Sequence, residues 1–263
     1  MRYREILNQS VLAIVVLFFT KVKGREFSGK PDKHCGKEGH WLEDRMGIKH
    51  NSNNGPDIYG YEMKKYSPKI TVGDYSASEY AFSTIRELIN RLNNWNYNIK
   101  ITRTQFIKYF GSPNPKKNGR YSWSGKCVPK YGEWNKNGQT LIVENDDIKI
   151  YYSYSRDTRD EKVKFPIFLK KDNLVIAIWK SEKMKEHINK KFNNKGFFMC
   201  KKTNNIYDKI CFGRPFDFDY FIKCIKNKKI IFDSGMYEGN TRNYSQFRGS
   251  GSCFWEELVI EEY

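Results

Sequence analysis

Residues 55–64 read Gly55-Pro56-Asp57-Ile58-Tyr59-Gly60-Tyr61-Glu62-Met63-Lys64. They follow a turn-forming run, Asn51-Ser52-Asn53-Asn54-Gly55, and predict a strand over 57–65 interrupted at Gly60. Side chains of a strand alternate between its two faces. Glu62 and Lys64 therefore share one face, while Tyr61 and Met63 point the other way into a core. Counted strictly, Asp57 falls on the opposite parity from Glu62. A bulge or kink at Gly60 brings it back to the same side. Two carboxylates and an ammonium then converge on one point.

That set suits metal-assisted hydrolysis of a phosphodiester. Hard carboxylate oxygens hold Mg²⁺, which keeps positions for water and a phosphate oxygen. The ion stabilises charge on the phosphorus oxygens and lowers the pKa of a bound water. A lysine beside it orients or deprotonates that water, or binds the phosphate. The same residues also make an ordinary surface ion pair in a chain that is 29% charged. Asp147-Ile148-Lys149, on another predicted strand, is a rival acid–lysine pair.

The surrounding sequence narrows the choice. Lys and Arg total 47 and Asp and Glu 30 among 263 residues, a net charge of +17 that points to a polyanion. Nucleic acid and an anionic membrane surface both qualify. With 16% aromatics and 8 prolines the chain is neither collagen-like nor disordered throughout. Six cysteines without a CxxC pair read as free thiols, and His34, Cys35 and His40 lack a second zinc-ligand pair. Residues 10–19 are apolar and follow Arg2 and Arg4, as in a signal peptide, but no small-x-small cleavage site follows. The segment is too short to span a bilayer, so a buried helix over 8–20 is the reading adopted here.

Further elements follow from periodicity. A short helix over 39–46 turns Trp41, Leu42 and Met46 inward. Ser76 and Glu79 form a capping-box pattern that opens a helix to Leu92. Residues 140–154 read as a hairpin, 174–179 as a buried strand, 181–192 and 215–225 as helices, and 230–233 as a short strand. Two Gly-rich basic stretches, 111–139 and 234–252, read as loops. Mixed strands and helices give an α/β class, and the even spread of apolar segments gives one compact unit. The basic loops supply candidates for DNA: Lys116 for phosphate, and Arg120 with Tyr121 and Trp123, and Arg242 with Tyr244 and Arg248, for bases.

Pro56-Asp57 followed by Glu62-x-Lys64 resembles the PD-(D/E)xK nuclease signature. With the upstream Gly36-Lys37 and Gly39-His40-Trp41-Leu42-Glu43-Asp44, the stretch resembles the MvaI/BcnI group of type II restriction endonucleases, relatives of the MutH mismatch-repair nickase. The basic segment 112–121, then Gly235-Met236-Tyr237 and Gly249-Ser250-Gly251, keep the group's order. One departure is that this chain has no His after His187, so Tyr244, Gln246 and Arg248 stand where the group tends to carry histidines.

The resemblance implies a restriction-endonuclease-like core, a central mixed sheet flanked by helices. It implies a single nuclease unit over 1–263 with two lobes around a DNA cleft. The catalytic lobe would take about 1–110 with parts of 140–230, and the recognition loops about 111–139 and 234–252. It further implies that Asp57, Glu62 and the Met63 carbonyl hold Mg²⁺, with Mn²⁺ as a substitute. Lys64 positions the water, Glu43 is an accessory carboxylate, and Tyr237 joins the DNA-contacting set. The implied activity is sequence-specific cleavage of double-stranded DNA at a short CC-x-GG type of site. The enzyme would be a cytoplasmic monomer of a bacterial or archaeal cell, without nucleotide cofactor or membrane, and paired with a DNA methyltransferase. A MutH-like repair nickase is the rival enzyme; a non-catalytic basic DNA-binding protein, and a secreted one, are the rivals of other classes.

Overall fold

The computed structural model describes residues 2–29, 36–49, 54–82 and 101–263. Helices run over Arg2–Lys21, Lys37–Arg45, Arg103–Phe110, Ser181–Phe192 and Phe218–Lys226. The strands are β1 (Glu62–Lys65), β2 (Lys69–Asp74), β3 (Glu79–Tyr80), β4 (Ser112–Asn114), β5 (Arg120–Trp123), β6 (Asn137–Glu144) and β7 (Asp147–Asp157). They continue with β8 (Leu174–Trp179), β9 (Phe197–Thr203), β10 (Ile206–Gly213), β11 (Ile230–Ser234), β12 (Met236–Tyr237), β13 (Ser245–Ser250) and β14 (Val259–Glu262). The chain divides into two compact units, 1–70 with 185–221 and 250–263, and 71–184 with 222–249. Strands β6 to β8 belong to the second.

The first unit is built on a mixed sheet of order β1-β9-β10-β14. β1 lies at its edge and runs parallel to β9, with Glu62 opposite Phe197 and Lys64 opposite Met199. A parallel pair needs a long crossover, so β1 meets a strand far along the chain. The N-terminal helix covers this sheet. Val11, Ile14, Phe18 and Val22 are buried with Leu42, Met46, Tyr61, Met63, Phe198 and Phe212. Its spacing of three and four residues puts one apolar stripe inward. Leu12, Val16 and Phe19 remain exposed on its outer side. Among the described residues, no helix is long and apolar enough to cross a membrane.

The second unit holds three sheets, β3-β8-β7-β6, β11-β13-β2 and β12-β5-β4. The predicted 140–154 hairpin is β6–β7, turning at Asn145 and Asp146, both with positive φ. Several expectations change. The capping-box pattern at Ser76 opens no helix: Glu79 and Tyr80 form β3 against Ile178 and Ala177. Tertiary contacts override the local pattern, because the Tyr80 ring packs on Phe82, Phe106 and Trp179. The rest of that predicted helix, 83–92, lies outside the described residues, as do His34 and Cys35. Within the predicted loop 111–139, residues 112–114 and 120–123 form β4 and β5, and Trp123 is fully buried rather than open to DNA. Residues 245–250 are not loop either. They form β13, paired with β11 from Ser245–Ser234 to Gly249–Ile230.

Candidate active site

The Asp57–Lys64 segment is a tight turn feeding an edge strand. Tyr59 and Gly60 have φ of 50° and 86°, in the left-handed region. The N–H groups of Asp57 and Ile58 both donate to the Tyr61 carbonyl, at 3.0 and 3.1 Å. This turn supplies the reversal that strand parity requires. Asp57 Oδ2 then accepts the Met63 N–H at 2.8 Å, so its carboxylate lies against the strand that carries Glu62.

Glu62 is 3% exposed. Its N–H donates to the Gly196 carbonyl at 3.1 Å. Its Oε1 accepts from Lys64 Nζ at 2.7 Å and from Lys191 Nζ at 2.9 Å. Its Oε2 is buried without a hydrogen-bond partner among the described residues. A buried carboxylate oxygen in that condition is costly unless something positive meets it. Lys64 sits near the faces of Phe192 and Trp255, 5.7 and 6.0 Å from their centroids.

Burial and charge set the protonation of the cluster. Burial opposes the ionisation of Glu62, but Lys64 and Lys191 outweigh it and hold the group below the usual carboxylate range. Asp57 is pushed up to about 6, by burial first and by the Glu62 charge second. Burial draws the Lys64 ammonium down, against the pull of Glu62. The two ammonium groups gather on Glu62 Oε1, which leaves Oε2 without a partner while the Asp57 carboxylate lies close enough to feel the Glu62 charge. Asp57 and Glu62 therefore fit a divalent cation by donor type and by the partnerless Oε2. They do not form a closed cage: among the described residues no group of three or more His, Cys, Asp or Glu is placed to hold a metal. An open, partly hydrated Mg²⁺ needs no such cage.

Lys191 is the member that the sequence reading missed. It lies in the last turn of the Ser181–Phe192 helix. The short turn that follows leads into β9, the strand beside β1. Gly196 has φ 88°, and a Cβ there would lie 2.3 Å from the Gly213 carbonyl, so only glycine fits. The sequence marked the helix over 181–192 but not the pairing of β9 with β1 that brings its last turn to Glu62. On the same helix, the His187 carbonyl and ring nitrogen Nδ1 meet Asn54 Nδ2 at 3.0 and 3.1 Å.

The other predicted residues make contacts of their own. Glu43, on the Lys37–Arg45 helix, lies 4.0 Å from His40. The neighbouring Glu38 has a clear structural role, accepting from Lys65, Lys202 and Tyr207 at 2.6, 2.8 and 2.9 Å. The rival acid–lysine pair is structural as well. Asp147 accepts the Ser181 N–H at 2.8 Å and pairs with Lys180, while Lys149 pairs with Glu144.

Every predicted DNA-contacting residue lies in the second unit. The Arg120 guanidinium stacks 3.7 Å above the Tyr237 ring. The Tyr121 N–H donates to Glu238 at 2.8 Å, and its carbonyl accepts the Glu238 N–H at 3.0 Å. Arg242 lies 4.8 Å from the Tyr244 centroid and pairs with Asp74 at 2.9 Å. Lys116 is exposed on the 3₁₀ turn Pro115–Lys117. Arg248 is on β13, not on a loop, and pairs with Asp233 at 3.2 Å and Gln246 at 3.0 Å.

The sequence profile of the LlaMI restriction endonuclease family matches residues 25–263. The type II restriction enzyme ScrFI of Lactococcus lactis subsp. cremoris is 41% identical over 273 residues, covering 97% of this chain and 99% of that relative. Among solved structures, restriction endonuclease MvaI in complex with its cognate DNA substrate aligns over 98% of both chains, with a TM-score of 0.60 and 15% identity. At that identity the likeness speaks for the fold, which is restriction-endonuclease-like.

Proposed function

The chain belongs to the LlaMI restriction endonuclease family and is a type II site-specific deoxyribonuclease, and on that footing we propose that Asp57, Glu62, Lys64 and Lys191 form its hydrolytic centre. The carrying observation is the single Glu62 oxygen shared by two lysines, with Asp57 folded back against the same strand. The substrate is double-stranded DNA with a short G·C-rich site of the CC-x-GG kind. The cofactor is Mg²⁺, with Mn²⁺ as a substitute. The enzyme acts as a cytoplasmic monomer beside a cognate DNA methyltransferase.

Asp57, Glu62 and the Met63 carbonyl would hold the metal. When bound, it supplies Lewis-acid stabilisation of charge on the phosphorus oxygens and acidifies a coordinated water. The remaining work falls to side chains of this chain. Lys64, kept close by Glu62, orients the attacking water toward phosphorus. Lys191 approaches the same carboxylate from the helix and presents its ammonium to a non-bridging phosphate oxygen. Phe192 and Trp255 wall the site and keep bulk water from the ammonium. The water oxygen bonds to phosphorus and releases a proton to solvent as the P–O3′ bond breaks, and the 3′ oxygen takes up a proton from solvent and leaves as a hydroxyl. The products carry a 5′-phosphate and a 3′-hydroxyl. Glu43 serves as an accessory carboxylate.

DNA reading falls to the second unit. Lys116 contacts phosphate. Arg120, Tyr121, Tyr237, Arg242, Tyr244 and Arg248 contact bases and their flanks.

Digestion of a plasmid of known sequence, with and without Mg²⁺, tests this proposal when the ends are sequenced. Discrete Mg²⁺-dependent fragments sharing one G·C-rich sequence are the expected result. Cleavage only at mismatched or nicked duplex would instead place the enzyme with repair nickases.

A further inference from the structure

Arg103 is the first residue of the Arg103–Phe110 helix, a position at the positive end of the helix dipole where a cation is disfavoured. Its backbone is fixed. Thr102 caps the helix in a reciprocal box with Gln105, and Phe106, Ile107 and Phe110 are fully buried beneath it. The guanidinium reaches across to one loop. Nε donates to Asn243 Oδ1 at 2.7 Å, and Nη2 donates to Asn240 Oδ1 at 2.8 Å and to the Arg242 carbonyl at 2.9 Å. Nη1 donates to the Asn240 carbonyl. All three nitrogens are thus engaged by residues 240–243, and all four acceptors are neutral.

Asn240 extends the tie. Its Oδ1 also accepts the Tyr237 N–H at 3.1 Å, and its Nδ2 donates to the Gly235 carbonyl at 3.0 Å. The Asn243 carbonyl accepts from Ser76 and Ser245 at 3.3 and 3.2 Å. The loop backbone is therefore held from within while its charged group faces out: the Arg242 side chain is 64% exposed. A planar fork can satisfy this divergent acceptor set, and a lysine ammonium cannot.

We infer that Arg103 is a specificity-determining positioning residue that pre-sets the 237–244 loop to receive the DNA duplex. The argument rests on the proposed reading of this loop as a DNA contact. A loop ordered before binding avoids the entropy of ordering during binding, so its loss appears in substrate affinity and discrimination rather than in chemistry. The neutrality of the acceptors adds a second effect. Among the described residues no carboxylate pairs with the Arg103 guanidinium, so its charge adds to the positive potential of the loop.

The test uses the full chain and a duplex carrying the site mapped by plasmid digestion. Arg103→Lys keeps the charge and loses the fork. Its KM for the cognate duplex should rise about tenfold with kcat within about twofold, and its preference over a one-base-pair variant should fall about tenfold. Binding to non-cognate duplex at low salt, without metal, should stay within about twofold. Arg242→Ala is the control for the loop itself and should lose discrimination too. If Arg242→Ala loses discrimination while Arg103→Lys keeps both KM and preference, the positioning role is wrong. If neither variant changes discrimination, the loop does not read DNA and both readings fall. Should Arg103→Lys not fold, Asn243→Ala removes the Nε acceptor alone. It should raise KM about threefold at unchanged kcat, and an unchanged KM would overturn the inference.

Discussion

Lys191 Nζ stands 2.9 Å from the same Glu62 oxygen that Lys64 Nζ approaches at 2.7 Å. The two lysines come from an edge strand and from a helix far along the chain, yet they converge on one atom. Lys191→Ala should therefore lower the single-turnover cleavage rate by about 10²-fold. Lys191→Arg should recover part of it. Wild-type single-turnover kinetics in the alanine variant would remove Lys191 from the centre.

Asp57→Ala and Lys64→Ala should each reduce cleavage by about 10³-fold or more while leaving DNA binding within about threefold. A gel shift in Ca²⁺ measures the binding, and plasmid digestion in Mg²⁺ measures the cleavage. The separation is expected because the predicted DNA-contacting residues lie in the other compact unit. Weak binding together with lost cleavage would argue against the division of labour.

Gly196→Ala should destabilise the protein by about 2–4 kcal/mol, since the new Cβ meets backbone atoms and φ is positive. Because the Gly196 carbonyl takes the Glu62 N–H, cleavage should fall even at temperatures where the variant stays folded. Urea unfolding at neutral pH reads the first effect. A variant as stable as wild type would show that the turn relaxes.

Glu38 gives the protein an acid-sensitive element. Burial would raise its pKa, but hydrogen bonds from Lys202, Lys65 and Tyr207 prevail and lower it to about 2 from an ordinary 4.5. The depressed folded pKa means that the contribution is full above about pH 4.5. It fades as pH falls toward 2, because the unfolded chain binds the proton first. After allowance for solvent screening it amounts to about 1–2 kcal/mol. The stability gap between wild type and Glu38→Gln should therefore shrink from pH 7 to pH 3. A gap independent of pH would assign the contribution to packing.

Arg120→Ala should relax sequence preference by about 1–3 kcal/mol if its guanidinium, stacked on Tyr237, reads a guanine edge. Competition between cognate and single-base variant duplexes measures it. Unchanged preference would leave Arg120 as a brace for Tyr237.

The resemblance to the PD-(D/E)xK signature singled out Asp57, Glu62 and Lys64, and the strand-face geometry agreed with it because a period of two is a local property. Only the turn at Tyr59 and Gly60 was needed to correct the parity of Asp57. Lys191 was not legible, because its partnership depends on a parallel pairing between distant strands. Ser76–Glu79 shows the opposite failure, a local capping signal overruled when Tyr80 packs among distant aromatic rings. β13 was misread by composition: its glycine and serines suggested a loop, although Ser245, Phe247 and Gly249 alternate inward as a strand should. Arg103 carried no signal at all, since nothing in its neighbourhood marks it as the support of a loop beyond residue 235.

The order of the first sheet also governs how the enzyme comes into being. The strand bearing Glu62 is made early, but the Lys191 ammonium, the Gly196 carbonyl and the neighbouring strand β9 follow only with residues 191–203. Trp255, which backs Phe197, and β14, which completes the sheet, come later still. A ribosome partway through this message therefore carries the signature residues without a working blade. Until β9 pairs with β1, the Glu62 carboxylate has neither the Lys191 ammonium nor the Gly196 carbonyl beside it.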